Sequence, residues 1–333
     1  MPVSLPLLDT FGRVHRDLRI SVTDRCNIRC FYCMPADNAQ FAPREDLLTF
    51  DEIERFVRIA ATLGVHKLRL TGGEPLVRPK LDRLIARLVA VPGIDDVALT
   101  TNGILLGEQA AGLKAAGLDR LNISLDTLDA DTFLRIARRP GLDRVLAGIE
   151  AARTAGFRKI RLNAVAIRGI TEAEVVPLAR YSLERGLELR FIEFMPLDAD
   201  RAWDASQVLS GAEILAMLEA ALGRLEPLAM HNPSQPATDY RFADGSGTVG
   251  FINPVTEPFC GDCNRLRLTA EGQLRNCLFS TEEWDLRHVL RGGANDDAIV
   301  HEIRNCIAAK RAGHGINTDD FLRPARPMFQ IGG

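Results

Sequence analysis

Long apolar runs are missing from this sequence: none reaches the roughly 18 to 20 residues that a membrane-spanning helix needs. Met1 to Thr10 also lack the basic segment and following apolar stretch of a secretory leader. The chain therefore reads as cytoplasmic, with no membrane partner. Positive charge is not in excess either, since 41 Lys and Arg face 44 Asp and Glu for a net charge of −3. That balance argues against a nucleic-acid-binding protein held by phosphate contacts, while leaving room for a local basic pocket around a small anion. Absent too is the even cysteine count of a small disulfide-stapled secreted domain.

What is there instead is thiol in threes. Seven cysteines in 333 residues fall into the triplets Cys26/Cys30/Cys33 and Cys260/Cys263/Cys277, with Cys306 left over. Metal ligation suits such clustering better than pairing does. Hydrophobic residues make up 46% of the chain and charged residues 26%, the composition of an ordinary globular protein long enough to bury a full core.

From Asp17 onward, short aliphatic or β-branched runs alternate with amphipathic segments of about a dozen residues, which implies parallel βα units. The runs Asp17 to Thr23, Lys67 to Thr71, Asp96 to Thr101, Arg120 to Leu125, Lys159 to Ile167 and Glu188 to Phe194 predict six strands. Residues 1 to 16 carry little periodicity and read as a lead-in. A helix over Asp51 to Leu63 is predicted, with Thr49 and Glu52 as its capping box. Thr171 and Glu174 repeat that signature before a segment that stops near Gly186, and Pro177 inside it should kink it or delay its start. Beyond about residue 225 the rhythm gives way to prolines, glycines and a hairpin across Asp244-Gly245-Ser246-Gly247. The expected organisation is residues 9–225 as one domain and 226–333 as a smaller second one. Six units fall short of the usual eight, so an incomplete (β/α)6 TIM-like barrel or a doubly wound sheet is expected. In both, ligands bind at the carboxyl ends of the strands, where Thr71-Gly72-Gly73-Glu74-Pro75, Thr100 to Gly103, Ser124 to Asp126 and Glu193 to Pro196 gather.

The first triplet has the spacing C-x3-C-x2-C with no fourth Cys or His beside it, which leaves one position of a metal centre open. Phe31 and Tyr32 are either core aromatics or ring faces that shield a cluster and flank a base. The second triplet, C-x2-C-x13-C, leaves two readings open: zinc completed by His288, His301 or His314, or an iron-sulfur cluster with an open iron. Arg265 and Arg267 beside it would fork onto phosphates. Cys306 reads as a buried helical thiol.

With an aromatic before its last cysteine, the first loop resembles the signature of the radical S-adenosylmethionine enzymes. The resemblance implies a [4Fe-4S] cluster on Cys26, Cys30 and Cys33 whose open iron chelates S-adenosylmethionine and whose electron yields a 5′-deoxyadenosyl radical. It places S-adenosylmethionine contacts at Tyr32, Gly73, Ser124 and Met195. Together with the C-terminal C-x2-C-x13-C and R-x-R loop, the chain closely resembles the branch of this family that cyclises GTP in molybdenum cofactor biosynthesis. That likeness covers Asp17 to Cys26, Arg69 to Pro75, Thr100 to Gly103, Asn122 to Asp126, Arg190 to Met195, the second triplet and the terminal Gly332-Gly333.

This second resemblance implies another [4Fe-4S] cluster, on Cys260, Cys263 and Cys277, that positions GTP. GTP contacts are expected at Arg19, Arg69, Thr100, Arg161, Arg265, Leu266 and Arg267, with Gly332 and Gly333 threading back into the site. Relatives usually have Lys where this chain has Arg161, which keeps the cation and changes its geometry. The implied reaction removes the ribose C3′ hydrogen of GTP and joins C3′ to C8, giving 3′,8-cyclo-7,8-dihydro-GTP. The implied partners are GTP, an electron donor and, downstream, cyclic pyranopterin monophosphate synthase, with the chain a monomer or homodimer. The C-terminal domain would close the barrel's open face. On the residues alone, a radical peptide modifier with an auxiliary cluster and a thiolate redox sensor stay open as alternatives.

Overall fold

The computed structural model describes residues 6–230 and 232–332. The six expected strands all form: β1 Asp17–Ser21, β2 Lys67–Thr71, β3 Asp96–Thr101, β4 Arg120–Ser124, β5 Ile160–Ala166 and β6 Glu188–Glu193. They pair in parallel and in chain order. Four are one or two residues shorter than expected, because the chain leaves the ladder where it turns into the loops at the strand ends. Their alternation sets the site. In β1 and β2, Leu18, Ile20, Leu68 and Leu70 are buried on the outer face, while Arg19 and Arg69 look the other way into the barrel.

Helices cover the outer face. Between β1 and β2 runs α1 (Phe50–Thr62), whose capping box is present: Glu52 N–H donates to Thr49 Oγ1 at 3.2 Å and Thr49 N–H to Glu52 Oε2 at 2.6 Å. Its stripe Ile53, Phe56, Val57 and Ala60 is fully buried, and burying each large side chain contributes about 1.5–3 kcal/mol. The barrel helices that follow are α2 (Leu81–Val89), α3 (Leu106–Ala115), α4 (Ala130–Ala137), α5 (Leu142–Thr154) and α6 (Val175–Arg185).

The second capping box does not form. Thr171 Oγ1 instead accepts from Ile167 N–H at 2.8 Å and donates to Val165 O at 3.2 Å, closing the loop after β5. A 3-10 turn precedes α6, so Pro177 falls in its first turn, where the missing N–H costs nothing and the start is delayed. Gly186 ends the helix at φ 64°.

Past α7 (Gly211–Leu222) come β7 (Leu225–Pro227), β8 (Thr238–Phe242), β9 (Thr248–Ile252), β10 (Arg265–Leu268), β11 (Gln273–Arg275) and β12 (Trp284–Asp285). The expected hairpin joins β8 to β9. These strands flank the barrel on both edges: β9 runs parallel to β6 and β10 parallel to β1. The full order is β12-β11-β10-β1-β2-β3-β4-β5-β6-β9-β8-β7, so β1 and β6 never pair and the barrel stays incomplete. The chain ends in α8 (Leu286–Arg291), α9 (Asp296–Ala308) and α10 (Met328–Ile331). Cys306 is fully buried in α9, as expected of a helical core thiol.

The lead-in is the clearest departure. Leu7, Asp9, Arg13 and His15 are buried. Asp9 accepts from Arg13 Nε at 2.5 Å and pairs with His15 Nε2 at 3.1 Å. Burial, followed by repulsion from Lys310, drops the His15 pKa to about 4, so the ring stays neutral. Asp9 and His15 bond within the segment and Arg13 to carbonyls of the C-terminal part, and neither pattern carries helix or strand periodicity.

Candidate functional site

At the carboxyl ends of the strands lies a cavity of about 300 Å³, the low end of ligand-pocket size. All six cysteines of the two triplets line it, as do Arg19, Arg69, Thr100, Arg161, Arg265 and Arg267 and the expected S-adenosylmethionine contacts Tyr32, Gly73, Ser124 and Met195. Leu266 is not among them. Its position between two lumen-facing arginines turns it to the opposite face of β10, fully buried in the core.

The parallel register lines up Arg267, Arg19 and Arg69 on three adjacent strands. Like charges one strand apart repel. Burial first, and then the neighbouring arginines, hold Arg19 and Arg69 well below the usual arginine range and bring Arg267 to about 9. Among the described residues, neither Arg19 nor Arg69 has a carboxylate partner. Such a row asks for a polyanion. Arg161 is engaged differently, with Nε donating to Glu188 Oε2 at 2.9 Å and Nη1 to Asn122 Oδ1 at 3.4 Å.

Around the first triplet the side chains nearest the sulfurs are acidic or neutral, and the cation Arg29 is turned to the main chain, donating to Cys26 O at 2.7 Å. Tyr32 Oη donates to Asp126 at 2.6 Å, and Asn102 Nδ2 lies 3.7 Å from Cys26 Sγ. Burial raises Glu74 to about 7 and Asp126 to about 6. Burial and then Glu74 push the Cys26 thiol up to about 11, and burial and then Asp126 raise Cys30. The glycine pair explains how the loops meet. A Cβ on Gly72 would sit 2.5 Å from Thr23 O, and one on Gly73 2.5 Å from Arg25 O, so only glycine lets the Gly72-Gly73-Glu74-Pro75 loop lie flush against the cysteine loop.

Around the second triplet the neighbours are cations. Arg265 Nε and Nη2 lie 3.3 and 3.2 Å from Cys263 Sγ, and Lys310 Nζ lies 3.5 Å from it. Burial opposes ionisation there, yet Arg265 and then Lys310 bring Cys263 down to about 6. Three soft thiols lining the cavity at each triplet have the donor chemistry of a multi-iron centre rather than of a single ion. The buried Thr71 and Thr100 hydroxyls and the Asn163 amide oxygen have no hydrogen-bond partner among the described residues, so a polar ligand in the cavity would satisfy them. Among the described residues no three Cys, His, Asp or Glu side chains converge on one ion. Of the histidines weighed for zinc, only His314 lines the cavity, and His288 and His301 are exposed on α8 and α9.

The C-terminal tail docks here. Met328 N–H donates to Leu197 O at 3.0 Å, and Arg267 Nη1 donates to Gly332 O at 2.7 Å. A Cβ on Gly332 would meet Ser21 Cβ at 2.8 Å and Thr71 Oγ1 at 2.9 Å. Gly333 lies outside the described residues.

Residues 20–181 match the Radical SAM superfamily model and residues 187–316 the Molybdenum Cofactor Synthesis C model. A GTP 3′,8-cyclase of Rhodopirellula baltica is 55% identical over 332 residues, 99% of this chain and 92% of the relative. The chain belongs to the GTP 3′,8-cyclase family. Another GTP 3′,8-cyclase, from Mycobacterium sp. strain KMS, is 51% identical over 100% of this chain and 95% of its own. In fold the chain is similar to Streptococcus suis SuiB bound to S-adenosylmethionine, with a TM-score of 0.60 at 15% identity over 97% of this chain and 75% of that one. It is also similar to anSMEcpe with bound AdoMet, with a TM-score of 0.58 at 14% identity over 93% and 89%.

Sequence reasoning gave no individual role to several residues in and around the cavity. Arg190, buried and paired with Asp239 at 3.1 Å, is held at about 10 by burial and then by Arg161. Glu193 ties the barrel to the C-terminal part, accepting from Val255 N–H at 2.8 Å and Thr256 N–H at 3.0 Å. Arg13 donates to Cys260 O at 2.8 Å, Arg311 O at 2.7 Å and Ala312 O at 3.0 Å. The strand-end position of Arg190 and Glu193 was a readable signal, whereas Arg13 and Lys310 offered none.

Proposed function

We propose that this chain converts GTP to (8S)-3′,8-cyclo-7,8-dihydroguanosine 5′-triphosphate in molybdenum cofactor biosynthesis, as a radical S-adenosylmethionine lyase. The observation that carries the reading is the row Arg267, Arg19, Arg69, aligned by strand register in a cavity that both thiol triplets line. A triphosphate is the ligand such a row stabilises, through charge-assisted forks in a low-dielectric site.

Cys26, Cys30 and Cys33 would hold one [4Fe-4S] cluster, and Cys260, Cys263 and Cys277 a second. When bound, the first cluster and S-adenosylmethionine supply a 5′-deoxyadenosyl radical. The chain's own residues bind and orient. Gly73, Ser124 and Met195 line the S-adenosylmethionine side, and Tyr32 is held rigid there by its bond to Asp126. Arg19, Arg69, Thr100 and Arg267 take the phosphates and ribose, with Arg161 released to them from Glu188. Arg265, stacked 4.9 Å over Phe259, stands beside the second cluster. Leu266 acts only through its main chain. Gly332 O holds the Arg267 guanidinium, and the Gly332-Gly333 tail would thread into the site. Fixing the ribose C3′ and the base C8 in one geometry lowers the entropic part of the barrier.

This reading treats residues 9–225 as the barrel and 226–333 as the part that closes it. It takes electrons from a separate reductant, passes its product to cyclic pyranopterin monophosphate synthase, and operates in the cytoplasm as a monomer or homodimer. The test is anaerobic reconstitution with iron and sulfide, then GTP, S-adenosylmethionine and dithionite. About eight iron per chain, and 5′-deoxyadenosine formed together with the cyclised nucleotide, are expected. No 5′-deoxyadenosine with GTP present, or zinc at the second triplet, overturns the reading.

A further inference from the structure

Lys310 is a buried ammonium, 4% exposed, just beyond α9. Its Nζ donates to Asn276 O at 2.8 Å and Arg265 O at 3.1 Å and lies 3.5 Å from Cys263 Sγ. No carboxylate among the described residues forms an ion pair with it. Burying a cation with no anion is strongly unfavourable, and the counter-charge within reach of Nζ is the Cys263 thiolate, 3.5 Å away. Its contacts reach the residues beside two of the three ligands, Arg265 after Cys263 and Asn276 before Cys277. The third, Cys260, is fixed by Arg13, which donates to its carbonyl and to those of Arg311 and Ala312. Segment 310–312 is thus fastened to the triplet from both sides.

At the first triplet, among the described residues, no Lys or Arg side chain hydrogen-bonds any of the three sulfurs. The side-chain donor on Cys26 Sγ is the neutral Asn102 amide at 3.7 Å, and Arg29 bonds the Cys26 carbonyl at 2.7 Å rather than its sulfur. Cations and N–H donors aimed at ligand sulfur stabilise the extra electron of a reduced cluster and raise its potential.

We propose that Lys310 is a positioning residue for the second triplet, and that its buried charge sets the cluster held there at a higher reduction potential than the cluster on the first triplet. This rests on the two-cluster reading above. Each cluster takes up one electron and no bond is made or broken. The cluster facing S-adenosylmethionine is then the stronger reductant of the two, and the cluster facing the nucleotide retains its electron.

The experiment isolates each cluster in the full chain. The variant Cys26→Ala/Cys30→Ala/Cys33→Ala keeps only the second site, and Cys260→Ala/Cys263→Ala/Cys277→Ala only the first. Each is reconstituted, assayed for iron and titrated with dithionite under EPR detection. About four iron per chain is expected in each, with the higher midpoint in the first variant. Adding Lys310→Met should shift the second-site midpoint negative and leave the first-site midpoint unchanged, and Lys310→Arg should restore it. Full iron with an unmoved midpoint in Lys310→Met overturns the proposal and leaves the two-cluster reading standing. No iron at the second site of the parent variant overturns the two-cluster reading itself. Should Lys310→Met fail to load iron, Lys310→Gln, which keeps N–H donors without the charge, is titrated instead, and an unmoved midpoint there counts against the proposal. Iron loss in both neutral variants with full iron in Lys310→Arg supports it, since only a cation then holds the thiolate set.

Discussion

Two triplets bring three thiols each to one cavity, the first from a single loop and the second from the segments before β10 and after β11. Carboxylates weigh on the first set, with Arg29 confined to the Cys26 carbonyl, whereas cations face the sulfur of the second. Burial, and then Glu74 and Asp126, keep Cys26 and Cys30 hard to ionise, whereas Arg265 and then Lys310 overcome burial and bring Cys263 down to about 6. Equal ligand count therefore does not mean equal chemistry. A centre whose surroundings already add negative charge resists reduction and, once reduced, gives its electron up readily. A centre ringed by cations holds its electron and attracts anions. The first environment suits radical initiation and the second suits a polyanionic substrate, and the asymmetry is built from side chains that are not ligands.

The bluntest way to break this pairing is to remove one thiol from each side. Cys26→Ser should abolish 5′-deoxyadenosine formation altogether, while Cys263→Ser should eliminate the cyclised product and leave about four iron per chain at the first site. Chromatography of the nucleosides with iron analysis reads both. Comparable loss of iron from both sites in either single variant would mean that the two centres do not load independently.

Next in size is the arginine row. Arg19→Met or Arg69→Met removes a charge-assisted contact of about 1.5–3 kcal/mol, which weakens GTP binding roughly 10- to 150-fold. S-adenosylmethionine binding should be unaffected, because neither arginine hydrogen-bonds the first loop. Equilibrium dialysis of both ligands separates the two effects, and an equal loss for both would contradict the assignment of the row to GTP.

A smaller effect is expected at the tail. Gly332 sits at φ 82° with no room for a Cβ between Ser21 and Thr71. Gly332→Ala adds about 1 kcal/mol of backbone strain and lifts the carbonyl away from Arg267. The cyclisation rate should fall several-fold with the iron content intact, and an unchanged rate would mean the contact with Arg267 is incidental.

How much of this contrast was legible beforehand depends on how local the signal is. Strand periodicity and the close-spaced ligands Cys26, Cys30 and Cys33 are local, and the six parallel strands, the α1 capping box and the buried Cys306 came out as read. Thr171 failed because its hydroxyl had a nearer partner in the β5 loop than in the helix it was meant to cap. The Leu266 side chain turned away from the cavity because a family position says nothing about which strand face a side chain takes. Lys310 was invisible for another reason: a basic residue after a helix is ordinary, and its partners lie 34, 45 and 47 positions back in the chain. The same holds for Arg13, whose carbonyl partners lie nearly 300 residues away and which in turn holds Asp9. Ligands announce themselves by spacing, and the groups that tune them do not.

The subtlest difference between the two regions is in pH. Beside the second triplet, His15 has a pKa of about 4 against an ordinary 6.5. The unfolded chain binds this proton first, so stability from this group is present above 6.5 and is lost as the pH falls toward 4. Beside the first triplet, Glu74 has a pKa of about 7 against an ordinary 4.5. There the folded chain holds the proton longer, so stability is present below 4.5 and is lost as the pH rises toward 7. Between 4.5 and 6.5 the two slopes oppose each other and partly cancel in the parent protein. His15→Gln should therefore expose a stability that falls with pH across that window, and Glu74→Gln one that rises, each by on the order of 2 kcal/mol over the window. Urea unfolding at fixed ionic strength measures both, and parallel pH profiles for the two variants would show that neither group titrates where its surroundings place it.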